Sequence, residues 1–156
     1  MRVTICAVGR LRKGPESELV NDYLARFDRT GRGLGLGPAR IVEVEARGGG
    51  SPQAEAQVLH RAIPENSLIC ALDERGDSMS SPKFARRLAG SRDDGIRDLT
   101  FLIGGADGID PELLSKAAWS LSFGKMVWPH MLARVMLCEQ LYRAASILAG
   151  TPYHRA

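Results

Sequence analysis

Apolar and polar positions alternate through Arg2 to Val8 (RVTICAV), which is rich in β-branched residues and reads as a first strand. The spacing changes at Pro15. From there to Arg29 a helix is predicted, with Pro15 in its first turn and Leu19, Tyr23 and Phe27 along one face. Ala39 to Glu45 (ARIVEVE) alternates again, a second strand with Ile41 or Val42 toward the core, and a helix follows from Pro52 to about Ile63. Ser67 to Leu72 (SLICAL) is a continuous apolar run, the type buried on both faces of a parallel sheet. Asp73 to Ser81 reads as a polar loop, and Ser81-Pro82 opens a helix through Leu88.

The most informative stretch runs from Leu99 to Glu139. A buried strand (Leu99 to Ile103) enters a turn with Gly104, Gly105 and Gly108, then a short helix capped by Asp110-Pro111. A strand over Trp119 to Phe123 leads through a loop with Gly124 and Pro129 into a long apolar helix, His130 to Ala149. Strands and helices therefore alternate, which predicts a single α/β domain with a mostly parallel, three-layered sheet. A strand, glycine turn and helix in succession place backbone N–H groups at the carboxyl end of a strand, where open α/β sheets bind ligands. The last helix is apolar on more than one face and must be covered on both sides, so a second copy of the chain is the expected cover. Glu139 and Arg143 on it are spaced to pair. Two glycine-rich breaks, Thr30 to Pro38 and Gly48-Gly49-Gly50-Ser51, lack phosphate-loop spacing and read as flexible connectors.

Composition narrows the class only a little. With 156 residues, 44% apolar and 25% charged, the chain has the make-up of a soluble globular domain, and no run is long enough to span a bilayer. No targeting pattern opens it, so a cytoplasmic location is expected. The net charge of +3 is compatible with nucleic acid without pointing to it. Cys6, Cys70 and Cys138 are scattered among apolar neighbours and form no zinc-type cluster, so they are expected as core residues with no metal site. His60 is expected at the surface and His130, beside Pro129, as a residue shaping its loop.

LIGGADG, the later LSFGKMVWPHMLARVMLCEQLYRA and the terminal PYHR resemble the RlmH family, SPOUT-class methyltransferases of large-subunit ribosomal RNA. The opening strand ending in AVG, the CALDERG segment and the SSPKFA helix start fall in register, so the resemblance spans residues 1–156. Departures are small: Cys70-Ala71 replaces a β-branched pair, Trp128 stands where Phe or Leu is frequent, and Met131 follows the Pro-His.

The resemblance implies an α/β fold whose part from about residue 67 to 156 is threaded into a deep trefoil knot, a topology that general rules make very rare. It implies S-adenosylmethionine held by Leu72, Gly105 and the loop Phe123, Gly124, Lys125, Met126, Val127 and Trp128. Aliphatic side chains there suit the faces of adenine, and main-chain groups suit its rim. It implies a homodimer through the C-terminal helix. Its target is N3 of a pseudouridine in a stem-loop of 23S ribosomal RNA, on the assembled ribosome and without metal. Tyr153 and His154 are the expected catalytic residues, orienting the base and accepting the N3 proton, a role suited to histidine's near-neutral pKa. Arg134, Arg143 and Arg155, with Arg10, Arg12 and Lys13, are expected to meet RNA phosphate. The tail is expected to complete the site of the partner chain. Two other readings remain at this point, a nucleotide- or flavin-binding oxidoreductase and a non-catalytic RNA-binding module; the first is disfavoured because Gly104-Gly105-x-x-Gly108 is not a dinucleotide fingerprint.

Overall fold

A computed structural model describes residues 1–46 and 51–155. Strand β1 (Arg2–Val8) is buried from Val3 to Val8, which requires cover on both faces and both edges. It lies inside a parallel sheet of order β2-β1-β4-β3-β5, with β2 (Ala39–Val44), β3 (Leu68–Ser78), β4 (Asp98–Ile103) and β5 (Trp119–Ser122). Cys6 sits opposite Val42 on one side and Leu102 on the other.

Successive residues of each strand feed two cores. Val3, Ile5 and Ala7 join Phe101, Cys70 and the buried sides of α1 (Pro15–Gly31), α3 (Ser81–Asp93) and α5 (His130–Leu148). Cys6, Val8, Leu102 and Ala71 point the other way, toward α2 (Pro52–Ala62) and α4 (Pro111–Ser115). The result is the three-layered α/β arrangement expected from the alternation. Phe84 of α3, Phe101 and Trp119 form a trio with ring centroids 6.1 to 6.3 Å apart, which locks α3 onto β4 and β5. Ser51, Ser80 and Asp110 cap α2, α3 and α4 with side-chain oxygens that accept from the first turn.

Several expectations need correction. The segment expected as a polar loop from Asp73 is strand as far as Ser78. Leu72 and Asp77 both lie opposite Leu121, so the residues between them bulge out of the ladder. A Cβ on Gly76 would lie 2.8 Å from the Ser120 carbonyl carbon, so only glycine lets β3 cross β5 this closely. Helix α3 runs past Leu88 to Asp93. The buried residues of α1 are Val20, Phe27 and Gly31, whereas Leu19 is exposed. The Thr30 to Pro38 connector is packed rather than loose. It holds a 3-10 turn at Arg32–Leu34, Leu36 is buried, and the Gly37 amide donates to the Met1 carbonyl at 2.8 Å. Of the second glycine-rich break, Gly48, Gly49 and Gly50 lie outside the described residues.

Helix α5 carries a fully buried stripe, Leu137, Cys138, Leu141, Ala144 and Ala145. Its cover is α1 and α3 of the same chain, so most of its apolar surface is satisfied without a second copy. What stays exposed is its entrance: Met126, Val127 and Trp128 of the preceding loop, and Met131 and Leu132 of the first turn.

Candidate active site

The carboxyl ends of β3, β4 and β5 open onto one cavity of about 980 Å³. Of the residues expected to hold a cofactor, Leu72, Gly105, Phe123, Gly124, Met126, Val127 and Trp128 line it together. Lys125 lies in the same loop, exposed and outside the lining. Each wall has a local cause. Leu72 is the last residue of β3 before the bulge, and the bulge turns Asp73, Glu74 and Arg75 into the cavity. The β4 turn closes tightly: a Cβ on Gly104 would lie 2.3 Å from the Gly108 carbonyl oxygen. The β5 loop is pinned by Ser122, whose hydroxyl donates to the Glu74 carbonyl at 3.1 Å and accepts from the Gly124 amide at 3.1 Å.

Sequence reasoning missed the charge of this cavity. Among the described residues Asp73, Glu74, Asp107 and Asp110 line it against one arginine, Arg75, and one histidine, although the chain as a whole carries +3. Asp73 follows Leu72 directly, and the bulge that turns it inward has no sequence signal. His130 also lines the cavity. Its buried Nδ1 has no hydrogen-bond partner among the described residues. Burial, reinforced by the nearby Arg134 and partly offset by Glu55, pushes its pKa below the usual histidine value. The imidazole is neutral at neutral pH.

Arg134 is not where RNA could reach it. It is completely buried and donates to the main-chain carbonyls of Val8 and Gly9 (2.8 Å to the latter) and to Glu43 Oε1 at 2.9 Å. Glu43 Oε1 also accepts from the Leu11 amide at 2.7 Å, so the pair ties the start of α5 to the loop after β1. The expectation of a phosphate contact from Arg134 is therefore corrected: both Nη atoms donate inside the fold, and Nε, without a partner among the described residues, is buried as well. Arg10, Arg12 and Lys13 of the tied loop are exposed.

The tail forms a second cluster. Tyr153 donates from its hydroxyl to Glu139 Oε1 at 2.9 Å, and Arg143 Nε donates to the same oxygen at 3.0 Å. The Arg143 guanidinium lies 4.7 Å from the Tyr153 ring centroid, and the Tyr142 and Tyr153 centroids are 4.5 Å apart. Arg143 Nη1 is 3.4 Å from His154 Nδ1. Burial and the Glu139 carboxylate push the Tyr153 phenol well above its ordinary pKa, so it stays protonated. Glu139 and Arg143 pair as their spacing implies, and Arg155 is exposed.

Cavity and tail cluster do not meet within one chain. None of residues 152–155 lines the cavity. From His130 at the cavity to Arg143 at the cluster, α5 rises about 20 Å. Among the described residues there is no group of histidines, cysteines and acids able to hold a metal, and no helix is long and apolar enough to cross a membrane.

Residues 1–154 match the family described as predicted SPOUT methyltransferase. Three relatives are similar over 99% of this chain and 99% of their own. They are the proteins called Ribosomal RNA large subunit methyltransferase H from Dinoroseobacter shibae (70% identical), Ruegeria pomeroyi (65%) and Paracoccus denitrificans (59%). With a fold, a cavity and a full-length match in agreement, the chain belongs to the SPOUT methyltransferase family, in its RlmH branch.

Proposed function

We propose that the protein is an S-adenosylmethionine-dependent methyltransferase that methylates N3 of a pseudouridine in a stem-loop of 23S ribosomal RNA, on the assembled ribosome and hence in the cytoplasm. The cavity carries this reading. Its size falls in the range of cofactor pockets, Leu72, Ile103, Met126 and Val127 give aliphatic walls for a purine, and its acidic excess suits a cationic ligand. Bound there, the cosubstrate supplies an electrophilic methyl group on a positively charged sulfur. The relatives' names support the ribosomal RNA target.

The remaining work falls to the chain's own residues. The N3 proton must leave before that nitrogen can act as a nucleophile. In this reading His154 accepts it, with its ring held beside Arg143. Tyr153, kept protonated, stacks on or orients the base instead of acting as a phenolate. Arg143 and Arg155, with Arg10, Arg12 and Lys13, take RNA phosphates. Arg134 takes no phosphate and holds the Arg10 to Lys13 loop in place. Turning the target base out of its stem-loop costs about a few kcal/mol, which stacking at the tail offsets.

The separation along α5 makes the tail of a second copy the natural complement of each cavity, so the working form is a homodimer. Met126, Val127, Trp128, Met131 and Leu132, exposed at the entrance of α5, are the apolar surface that the second copy covers. Threading of residues from about 67 to 156 into a trefoil knot completes the proposed single-domain architecture.

Calorimetric titration with S-adenosylmethionine tests the reading directly: saturable binding is expected, with no affinity for nicotinamide or flavin nucleotides. Mass spectrometry of ribosomal RNA from cells lacking the gene tests the target. An unchanged methylpseudouridine signal overturns it. A monomeric variant that kept full turnover would remove the dimer.

A further inference from the structure

We propose that Glu55 of α2 is a specificity-determining residue of the cavity, one that favours the sulfonium methyl donor over the product and other uncharged thioethers. The proposal rests on the cofactor reading above and extends it to a residue of a different helix.

Glu55 is half-buried in the first turn of α2, three residues after Pro52, which lines the cavity; Glu55 itself is not in the lining and lies behind the Gly105 turn. Its carboxylate lies against the β4 turn: a Cβ built on Gly105 would be 2.7 and 2.8 Å from its two oxygens. Gly105 itself lines the cavity. The absence of a side chain there is what lets a carboxylate come so close to the main chain that faces the ligand.

The Glu55 carboxylate has no ion pair or hydrogen-bond partner among the described residues. Arg134, whose charge reaches His130 beside it, is committed to Val8, Gly9 and Glu43. His130, the other basic group close enough to act on Glu55, is held neutral by burial. Among the described residues no cation pairs with this carboxylate, and the acidic side chains that line the cavity outnumber its one arginine, Arg75. The sheet order gives the ligand a direction. The aliphatic walls belong to the ends of β3, β4 and β5, whereas Glu55 comes from a helix packed on β1 and β2, beyond β4. A ligand with its purine at the apolar end directs its other, charged half toward Glu55.

S-adenosylmethionine carries one more net positive charge than S-adenosylhomocysteine or methylthioadenosine, so the Glu55 carboxylate acts on the donor and on neither thioether in the same degree. Coulomb attraction at a partly wet site over several ångströms corresponds to a change on the order of tenfold in binding. Losing the charge with the methyl group then loosens the product.

The test is calorimetric titration of wild type and E55Q with all three ligands at low and high salt. In E55Q the affinity for S-adenosylmethionine is expected to fall about tenfold, with both neutral thioethers unchanged within twofold and the salt dependence of donor binding reduced. Unchanged donor affinity overturns the proposal. So does an equal loss for all three ligands, because that reports a shape effect at the Gly105 turn. Failure of wild type to bind any of the three would instead overturn the cofactor reading.

Discussion

Arg134→Met replaces a completely buried cation with a shorter, unbranched apolar chain. Three acceptors lose their donor: the carbonyls of Val8 and Gly9 and the carboxylate of Glu43. A buried acceptor left without a partner costs about 1–3 kcal/mol, and breaking a buried ion pair about 3–5 kcal/mol. Two features reduce the sum. The Glu43 side chain keeps 29% exposure and its bond from the Leu11 amide, so water rescues it in part. Burial also opposes the charge on Arg134, pulling its pKa below the ordinary value, and this penalty disappears with the guanidinium. A net loss of about 3 kcal/mol is expected. For a chain of this size that lowers Tm by about 6–12 °C.

Thermal and urea denaturation at one fixed protein concentration measure it, since association would otherwise shift the midpoint. Glu43→Gln and the double variant complete a cycle, and a coupling of at least about 1 kcal/mol is expected between the two sites. A surface arginine facing RNA would behave differently: its loss would change stability by no more than about 0.5 kcal/mol while weakening RNA binding. That outcome would refute the buried-clamp account and return Arg134 to the RNA interface.

Gly104→Ala forces a Cβ to within 2.3 Å of the Gly108 carbonyl oxygen, so the turn must open; cofactor affinity in a titration should drop at least about tenfold, since every 1.4 kcal/mol of strain is a decade. Tyr153→Phe removes only the hydroxyl bond to Glu139, worth about 1 kcal/mol, and should slow RNA methylation modestly, whereas Tyr153→Ala removes the stacking surface and should abolish it. S-adenosylmethionine affinity should change far less than methylation in both, because the tail is proposed to meet the target base and not the cofactor. Cys6 and Cys138 have pKa values pushed up by burial, to about 11 and about 12. The stability they contribute as neutral thiols is complete below the ordinary thiol value and declines as pH rises from there through about 11–12. A chromogenic disulfide reagent at pH 8 should find no fast thiol in the native protein and three after denaturation; rapid native labelling would contradict the burial.

The parts legible in the sequence are those whose cause is local. β1 and β4 announce themselves by β-branched and continuous apolar runs, and α4 by Asp110-Pro111. The second half of β3 does not. Its residues are polar and exposed or half-buried, and only Asp77 and Ser78 rejoin β5 across a register jump, which depends on chain folding and not on neighbours in sequence. Arg134 was misread because a charged helical residue is normally solvated. A signal was nonetheless present: Arg134, Leu137, Cys138 and Leu141 follow the 3–4 spacing of the buried stripe, which places Arg134 among core positions. The loop proposed to hold the cofactor is suggested by the family motif, but the acidic wall and Glu55 have no such signal. Their approach to Gly105 and Leu72 is created only when α2 and the β3 bulge come together in space.

One consequence concerns the length of α5. The helix begins at the cavity and ends where the tail folds back, so it acts as a ruler between the two. Inserting one residue near its start would swing everything beyond by about 100° and advance it about 1.5 Å, carrying Glu139, Arg143 and the tail together out of alignment with the cavity. Two full turns would nearly restore the angle but overshoot by more than 10 Å. Evolution can lengthen the outer loops of such a molecule freely, but this helix has a fixed number of turns.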